Sequence, residues 1–81
     1  DIIKETTCIL NNIKQVLFKA DYSLADIVKT SIFLTDMSYF AAVNEVYRSY
    51  FETDFPARET IAVQGLPKGA RVEISVIAYK A

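Results

Sequence analysis

Within residues 54–74, DFPARETIAVQGLPKGARVEI, two side chains are of types that can handle a small organic acid. Arg58 follows a proline–alanine step at the mouth of a short β-type segment, and Glu73 lies inside an otherwise apolar one. A guanidinium can hold a carboxylate through two parallel charge-assisted hydrogen bonds. A carboxylate can position a water and take up its proton. Strand side chains alternate between faces, so Val72, Ile74, Val76 and Ala78 form one apolar face of the last segment, and Arg71, Glu73, Ser75, Ile77 and Tyr79 form the other. In the preceding segment Ile61 and Val63 are the natural inward pair, which turns Arg58, Thr60, Ala62 and Gln64 outward beside Glu73. That outward face mixes polar groups with Ala62, Ile77 and Tyr79, a composition that suits a subunit interface with a pocket in it. By residue type alone, Arg58 and Glu73 read more readily as ordinary surface charges, at most a cross-sheet ion pair worth ~0–1 kcal/mol.

The elements that must hold these groups are legible from periodicity. Apolar positions 2, 9, 10, 13, 16, 17 and 20, with Thr6, follow the spacing of an amphipathic helix over Ile2–Ala20. Glu5, Asn12, Gln15 and Lys19 fall on its wet side. Ser23 with Asp26 resembles a capping box and predicts a short helical turn. IVKTSIFL, Ile27–Leu34, is β-branched and aromatic with apolar groups on both faces, which predicts a central strand. Thr35, Asp36 and Ser38 supply helix-start chemistry, and Phe40, Val43, Tyr47, Tyr50 and Phe51 mark the buried stripe of a second helix that Asp54-Phe55-Pro56 stops. Glu59–Gln64 reads as a short strand, Gly65–Gly69 as a turn and Arg71–Lys80 as a final strand. This order predicts an α+β domain with both helices on one face of a sheet.

With 81 residues there is room for one domain and a core of marginal size. One cysteine and no histidine exclude an intrachain disulfide and nearly remove the preferred metal ligands, so oligomerisation is the expected source of added stability. Cys8, on the first helix near its polar edge, reads as structural or incidental. A net charge of −1 with interspersed signs argues against a nucleic-acid partner. No apolar run is long enough to cross a bilayer and no signal peptide is recognisable, so a cytoplasmic location is expected. The chain begins at Asp1 within a helical pattern, which reads as the interior of a longer sequence.

Four blocks in order carry a resemblance: the VKT strand at Val28–Thr30, the D-x-x-x-F-x-x-V-N-x-x-Y helix from Asp36 to Tyr47, the P-A-R turn at Pro56–Arg58, and LPKGARVEI from Leu66 to Ile74. Together they resemble the Rid family, the reactive-intermediate deaminases also called YjgF-like or endoribonuclease L-PSP. The resemblance spans essentially the whole chain, residues 1–81, as a single domain that corresponds to the C-terminal two-thirds or so of the family's usual length. It implies a fold similar to bacterial chorismate mutase: a mixed sheet with two helices on one face, lacking the family's N-terminal strands here. It also implies that Ile27–Leu34 lies between the last two strands, that the final strand has a bare outer edge, and that the protein is a homotrimer with pockets between subunits.

The activity implied by the resemblance is hydrolysis of 2-imino acids, which arise from enamines released by pyridoxal-phosphate enzymes, to 2-keto acids and ammonia. Those enzymes would be functional partners, and small 2-imino or 2-keto acids the ligands. Arg58 matches the family's carboxylate-binding arginine and Glu73 its water-orienting glutamate. Phe40 and Asn44 match positions bordering the family pocket, as an apolar wall and a polar neighbour. Thr60 stands where many members have cysteine and belongs to the substrate-binding set. No cofactor or metal is implied. The family's N-terminal third contributes a tyrosine and a serine–glycine segment to the pocket, so this chain holds the electrostatic part of a site. Two other activities remain in view: an endoribonuclease or translation inhibitor of the L-PSP type, and a non-catalytic trimer that binds small ligands. Acid–base RNA cleavage usually calls for a histidine or a clustered cationic groove, and the sequence shows neither.

Overall fold

The computed structural model describes residues 1–51 and 55–81 of the chain. The first helix, α1 (Ile2–Lys19), starts at Asp1, whose carboxylate accepts the Lys4 N–H at 2.9 Å. That bond satisfies one of the donors that a helix's first turn leaves open. Thr6, Leu10 and Leu17 form its buried stripe, with Ile2, Ile9 and Ile13 packed alongside. Thr6 is fully buried because its hydroxyl donates to the Ile2 carbonyl at 2.7 Å. Val16 departs from the expected stripe at 67% exposure. It lines a shallow apolar hollow with Ile13, Leu17 and Val76, at the flank of the helix rather than beneath it.

The turn after α1 is a short 3₁₀ segment, Leu24–Asp26, in which the Asp26 carboxylate accepts the Ser23 N–H at 2.9 Å. It leads into β1 (Ile27–Leu34), the strand with both faces apolar. Asp36 then accepts the Ser38 N–H and opens a 3₁₀ turn that continues as α2 (Phe40–Ser49). Pro56 precedes β2 (Ala57–Ala62), and Pro67–Gly69 turns the chain into β3 (Val72–Ala78). Gly69 in that turn has φ 68°, the left-handed region where a side chain would be strained. Asp54, the first residue of the expected helix stop, lies outside the described residues.

Strand order is β2-β1-β3, with β1 parallel to β2 and antiparallel to β3. The last two strands are therefore not a hairpin, although they are consecutive in the chain. A parallel neighbour needs a crossover, and α2 supplies it. Both helices pack on one face of this mixed sheet. Leu10, Ile32, Leu34, Val43, Tyr47 and Val72 are each at most 2% exposed and form the centre of the core. Burying a side chain of this size contributes roughly 1.5–3 kcal/mol, which is how three strands and two helices hold together. Among the described residues, no helix is long and apolar enough to cross a membrane.

One expectation is overturned. In β2, Arg58, Thr60 and Ala62 pair with Thr30, Ile32 and Leu34, three of the four buried residues of β1. Partners in register share a face, so Arg58 and Thr60 point toward the helices. Ile61, expected inward, pairs with Phe33 and is 42% exposed on the opposite face. Glu73 also pairs with Phe33. Arg58 and Glu73 therefore lie on opposite faces of one sheet. The parity argument failed because it gave the apolar residues to the core, whereas the end of this edge strand turns polar groups toward α2.

Glu5, expected on the wet side of α1, instead ties α1 to the start of β3. Its carboxylate accepts the Arg71 N–H at 2.8 Å, the Val72 N–H at 3.3 Å and the Arg71 Nε at 3.0 Å. The Arg71 backbone hydrogen bond, aided by the Arg71 guanidinium, holds this carboxyl below its ordinary value of 4.5. A carboxyl lowered in the folded state stabilises the fold above the ordinary value, and that stability is lost as pH falls through the lowered one. Glu5→Gln is expected to cost about 1–2 kcal/mol near neutral pH, with partial exposure trimming the value of its charged hydrogen bonds. Urea unfolding of both proteins should show that difference at pH 7, closing as the wild-type carboxyl protonates. A gap that persists undiminished in acid would assign the loss to packing instead.

Candidate active site

Arg58, the second residue of β2, reaches toward α2 and meets three of its residues. Its Nη1 donates to the Asn44 side-chain oxygen. Its guanidinium lies 5.2 Å from the Tyr47 ring centroid and 5.8 Å from that of Phe40. Each cation–π contact contributes ~0.5–1 kcal/mol at an exposed site. The spacing on α2 explains the cluster, because residues three, four and seven apart lie along one helix face. Phe40, Asn44 and Tyr47 have that spacing.

Tyr47 is the residue that fixes this arrangement to the core. It is 2% exposed, and its hydroxyl donates to the buried Thr30 hydroxyl at 3.0 Å. Its other neighbour is Phe51, with ring centroids 4.8 Å apart. The ring beneath Arg58 is thus held at its hydroxyl end by β1 and along its flank by Phe51. The guanidinium edges not used by Asn44 remain available to a ligand, since arginine carries five N–H donors.

These groups border a cleft of about 350 Å³ lined by Asn44, Tyr47, Arg48, Phe55, Pro56 and Arg58. Thr60 lies two residues beyond Arg58 on the same face, and its hydroxyl oxygen is buried with no hydrogen-bond partner among the described residues. An unpartnered buried hydroxyl costs roughly 1–3 kcal/mol. Among the described residues there is no cluster of His, Cys, Asp and Glu that could hold a metal ion.

Of the residues singled out in the sequence, Phe40, Asn44 and Arg58 come together, and Thr60 shares their face. Glu73 does not join them. It is exposed on the other face, where Ser31, Phe33, Glu59, Ile61, Ser75 and Ile77 also emerge. On that face Glu59 accepts from the Ser31 hydroxyl at 3.0 Å and pairs with Lys29 at 3.3 Å, which holds its carboxyl below the ordinary range. Sequence reasoning placed Tyr47 in the core but missed its contact with Arg58. It also passed over Arg48, Phe55 and Pro56. The spacing from Phe40 and Asn44 could have pointed to Tyr47. For Arg48, one turn beyond Asn44, the signal is hard to tell from a solvated helix face.

The sequence pattern that defines Endoribonuclease L-PSP matches residues 1–80. The chain belongs to this family, the Rid family. A RutC family protein of Pyrococcus horikoshii is 48% identical over 80 residues, covering 99% of this chain and 64% of that protein. A goat (Capra hircus) protein named 2-iminobutanoate/2-iminopropanoate deaminase is 43% identical over 79 residues, covering 98% of this chain and 58% of that one. The crystal structure of E. coli TdcF with bound serine superimposes with a TM-score of 0.95 at 34% identity, covering 100% of this chain and 66% of that one. The chain thus spans less than two-thirds of the length of these two Rid relatives, and the match with TdcF extends to the two-helix, mixed-sheet fold.

Proposed function

We propose that the protein hydrolyses small 2-imino acids to 2-keto acids and ammonia, in pockets that form between copies of the chain. The observation that carries this reading is Arg58, held by Asn44 and backed by Phe40 and Tyr47 at the edge of an open cleft. A guanidinium fixed in this way can hold a substrate carboxylate without being reoriented during reaction. The likeness to a protein named as such a deaminase supports the same choice of substrate.

Water adds to the carbon of the iminium form of the substrate, already protonated on nitrogen from solution, as Glu73 takes a proton from that water. The resulting amino alcohol then collapses, its C–N bond breaking to expel ammonia while its hydroxyl proton passes to solvent and leaves the keto group. Glu73 can return its proton to the departing nitrogen, so no covalent enzyme intermediate and no cofactor is required. Glu73 and Arg58 of one copy face opposite sides of their sheet. In this reading Glu73 therefore serves the Arg58 cleft of a second copy, within a homotrimer whose mixed polar and apolar sheet faces turn inward. Enzymes that release enamines, such as pyridoxal-phosphate dehydratases, would supply the substrate in the cytoplasm. Phe40 would wall the site and Thr60 would lie beside the carboxylate.

Neither alternative activity has comparable support. The whole chain contains no histidine and carries a net charge of −1, which suits RNA poorly. The deciding experiment is release of ammonia and 2-keto acid by the full-length protein from an imine generated in place by a dehydratase. Turnover well above the spontaneous rate is the expected result. Binding of 2-keto acids without any turnover would leave a ligand-binding trimer in its place, and submicromolar RNA affinity with a steep salt slope would restore the nuclease reading.

A further inference from the structure

The cleft beside Arg58 holds a second cation that neither the resemblance nor the proposed reaction uses. We propose that Arg48 is a substrate-selecting residue and that the preferred substrates are short 2-imino acids bearing a second carboxylate. The proposal rests on the deaminase reading above and narrows its substrate class.

Both arginines line the same space, Arg48 from the last turn of α2 and Arg58 from the start of β2. Arg48 is one helical turn beyond Asn44, which accepts from Arg58, so the two arginines face the cleft from its two walls. Each is backed by an aromatic ring: Arg48 lies 5.8 Å from the Phe55 centroid and Arg58 lies 5.2 Å from that of Tyr47. No carboxylate of the same chain belongs to the described lining, and the Glu73 that a second copy brings in the reading above is engaged with the attacking water.

Two like charges in one cleft repel, and a single carboxylate pairs with only one of them. A substrate with a carboxylate at each end satisfies both with charge-assisted hydrogen bonds, and the rings behind the guanidinium groups reduce the freedom lost on binding. Arg48 in the last turn of α2 also faces the negative end of the helix dipole. That favourable interaction is available anywhere around the helix end and does not require Arg48 to line a cleft. With Phe55 and Pro56 alone on that wall, apolar substrates would be favoured; Arg48 reverses the preference.

The test compares the full-length wild type with Arg48→Gln, which removes the charge and keeps a polar side chain. Binding of 2-oxoglutarate and 2-oxobutyrate is measured by calorimetry, and hydrolysis is measured on the mono- and dicarboxylic imines made in place by amino-acid oxidation. Wild type should favour the dicarboxylic member by about tenfold or more in both Kd and kcat/KM, the value of one added ion pair in a partly solvated site. In Arg48→Gln both ratios should fall to near unity, with an unfolding midpoint showing that the variant is folded. Hydrolysis with no dicarboxylic preference, or a preference that survives in Arg48→Gln, overturns this proposal and leaves the deaminase reading standing. An Arg48-dependent preference in binding, with no imine hydrolysed, would uphold the site and remove the deaminase reading.

Discussion

Arg58→Ala is expected to lower kcat/KM for a small 2-imino acid by about 100-fold or more while the protein remains folded. Two charge-assisted hydrogen bonds to a carboxylate contribute roughly 1.5–3 kcal/mol each, and ~1.4 kcal/mol is tenfold in rate. Arg58 is exposed and its fold contacts are modest: one hydrogen bond to Asn44 and two ring contacts. Together these contribute about 1.5–3 kcal/mol. The unfolding midpoint should therefore fall by roughly 10 °C, since about 1 kcal/mol moves a domain of this size by ~4–8 °C, and the assay is run well below it. Arg58→Lys separates charge from shape. An ammonium keeps the charge but cannot form the paired fork, so it should recover only a small part of the loss. Wild-type kinetics in Arg58→Ala would remove Arg58 from the reaction.

The second large effect is at Tyr47, where fold and site meet. Tyr47→Ala should cost about 3–5 kcal/mol from the core alone, against total stabilities of roughly 5–15 kcal/mol. It also strands the Thr30 hydroxyl, which is 0% exposed, and removes the ring beneath Arg58. Most of the folded population should be lost on mild warming, and activity with it. Tyr47→Phe distinguishes the two roles. It keeps the ring under the guanidinium and deletes only the hydrogen bond to Thr30, so it should lose about 1–3 kcal/mol of stability and retain most of its kcat/KM. Thermal unfolding by circular dichroism and steady-state kinetics on the same samples read both quantities. A Phe variant as stable as wild type would show that the buried Thr30 hydroxyl finds another partner.

How much of this was legible differs between the fold and the site. The bounds of β1 were readable because IVKTSIFL carries apolar groups on both faces, the mark of a central strand. The capping chemistry at Asp26 and Asp36 located two turns. The order β2-β1-β3 could not be read locally, because Gly65–Gly69 between consecutive strands reads as a hairpin. It came from the resemblance. The facing of β2 was misread because alternation assigns apolar side chains inward, and that rule fails where a polar site replaces part of the core. Glu5 was misplaced for a related reason: a charge on a helix looks solvated until its partners, the Arg71 and Val72 N–H groups, are known.

In the proposed reaction Arg58 of one copy grips the acid while Glu73 of another aims water at it. Each single variant, Arg58→Ala and Glu73→Gln, should be nearly inactive, the second because losing a general acid–base group costs ~10²–10⁴ in rate. Co-expressing the two variants and assaying the mixed assemblies tests this division directly. If the groups come from different copies, each intact site needs Arg58 from one chain and Glu73 from its neighbour, and random mixing restores ~one site in four. The expected result is that recovery, near a quarter of wild-type activity. A mixture no more active than its two components would contradict it, because both groups would then have to act from the same chain.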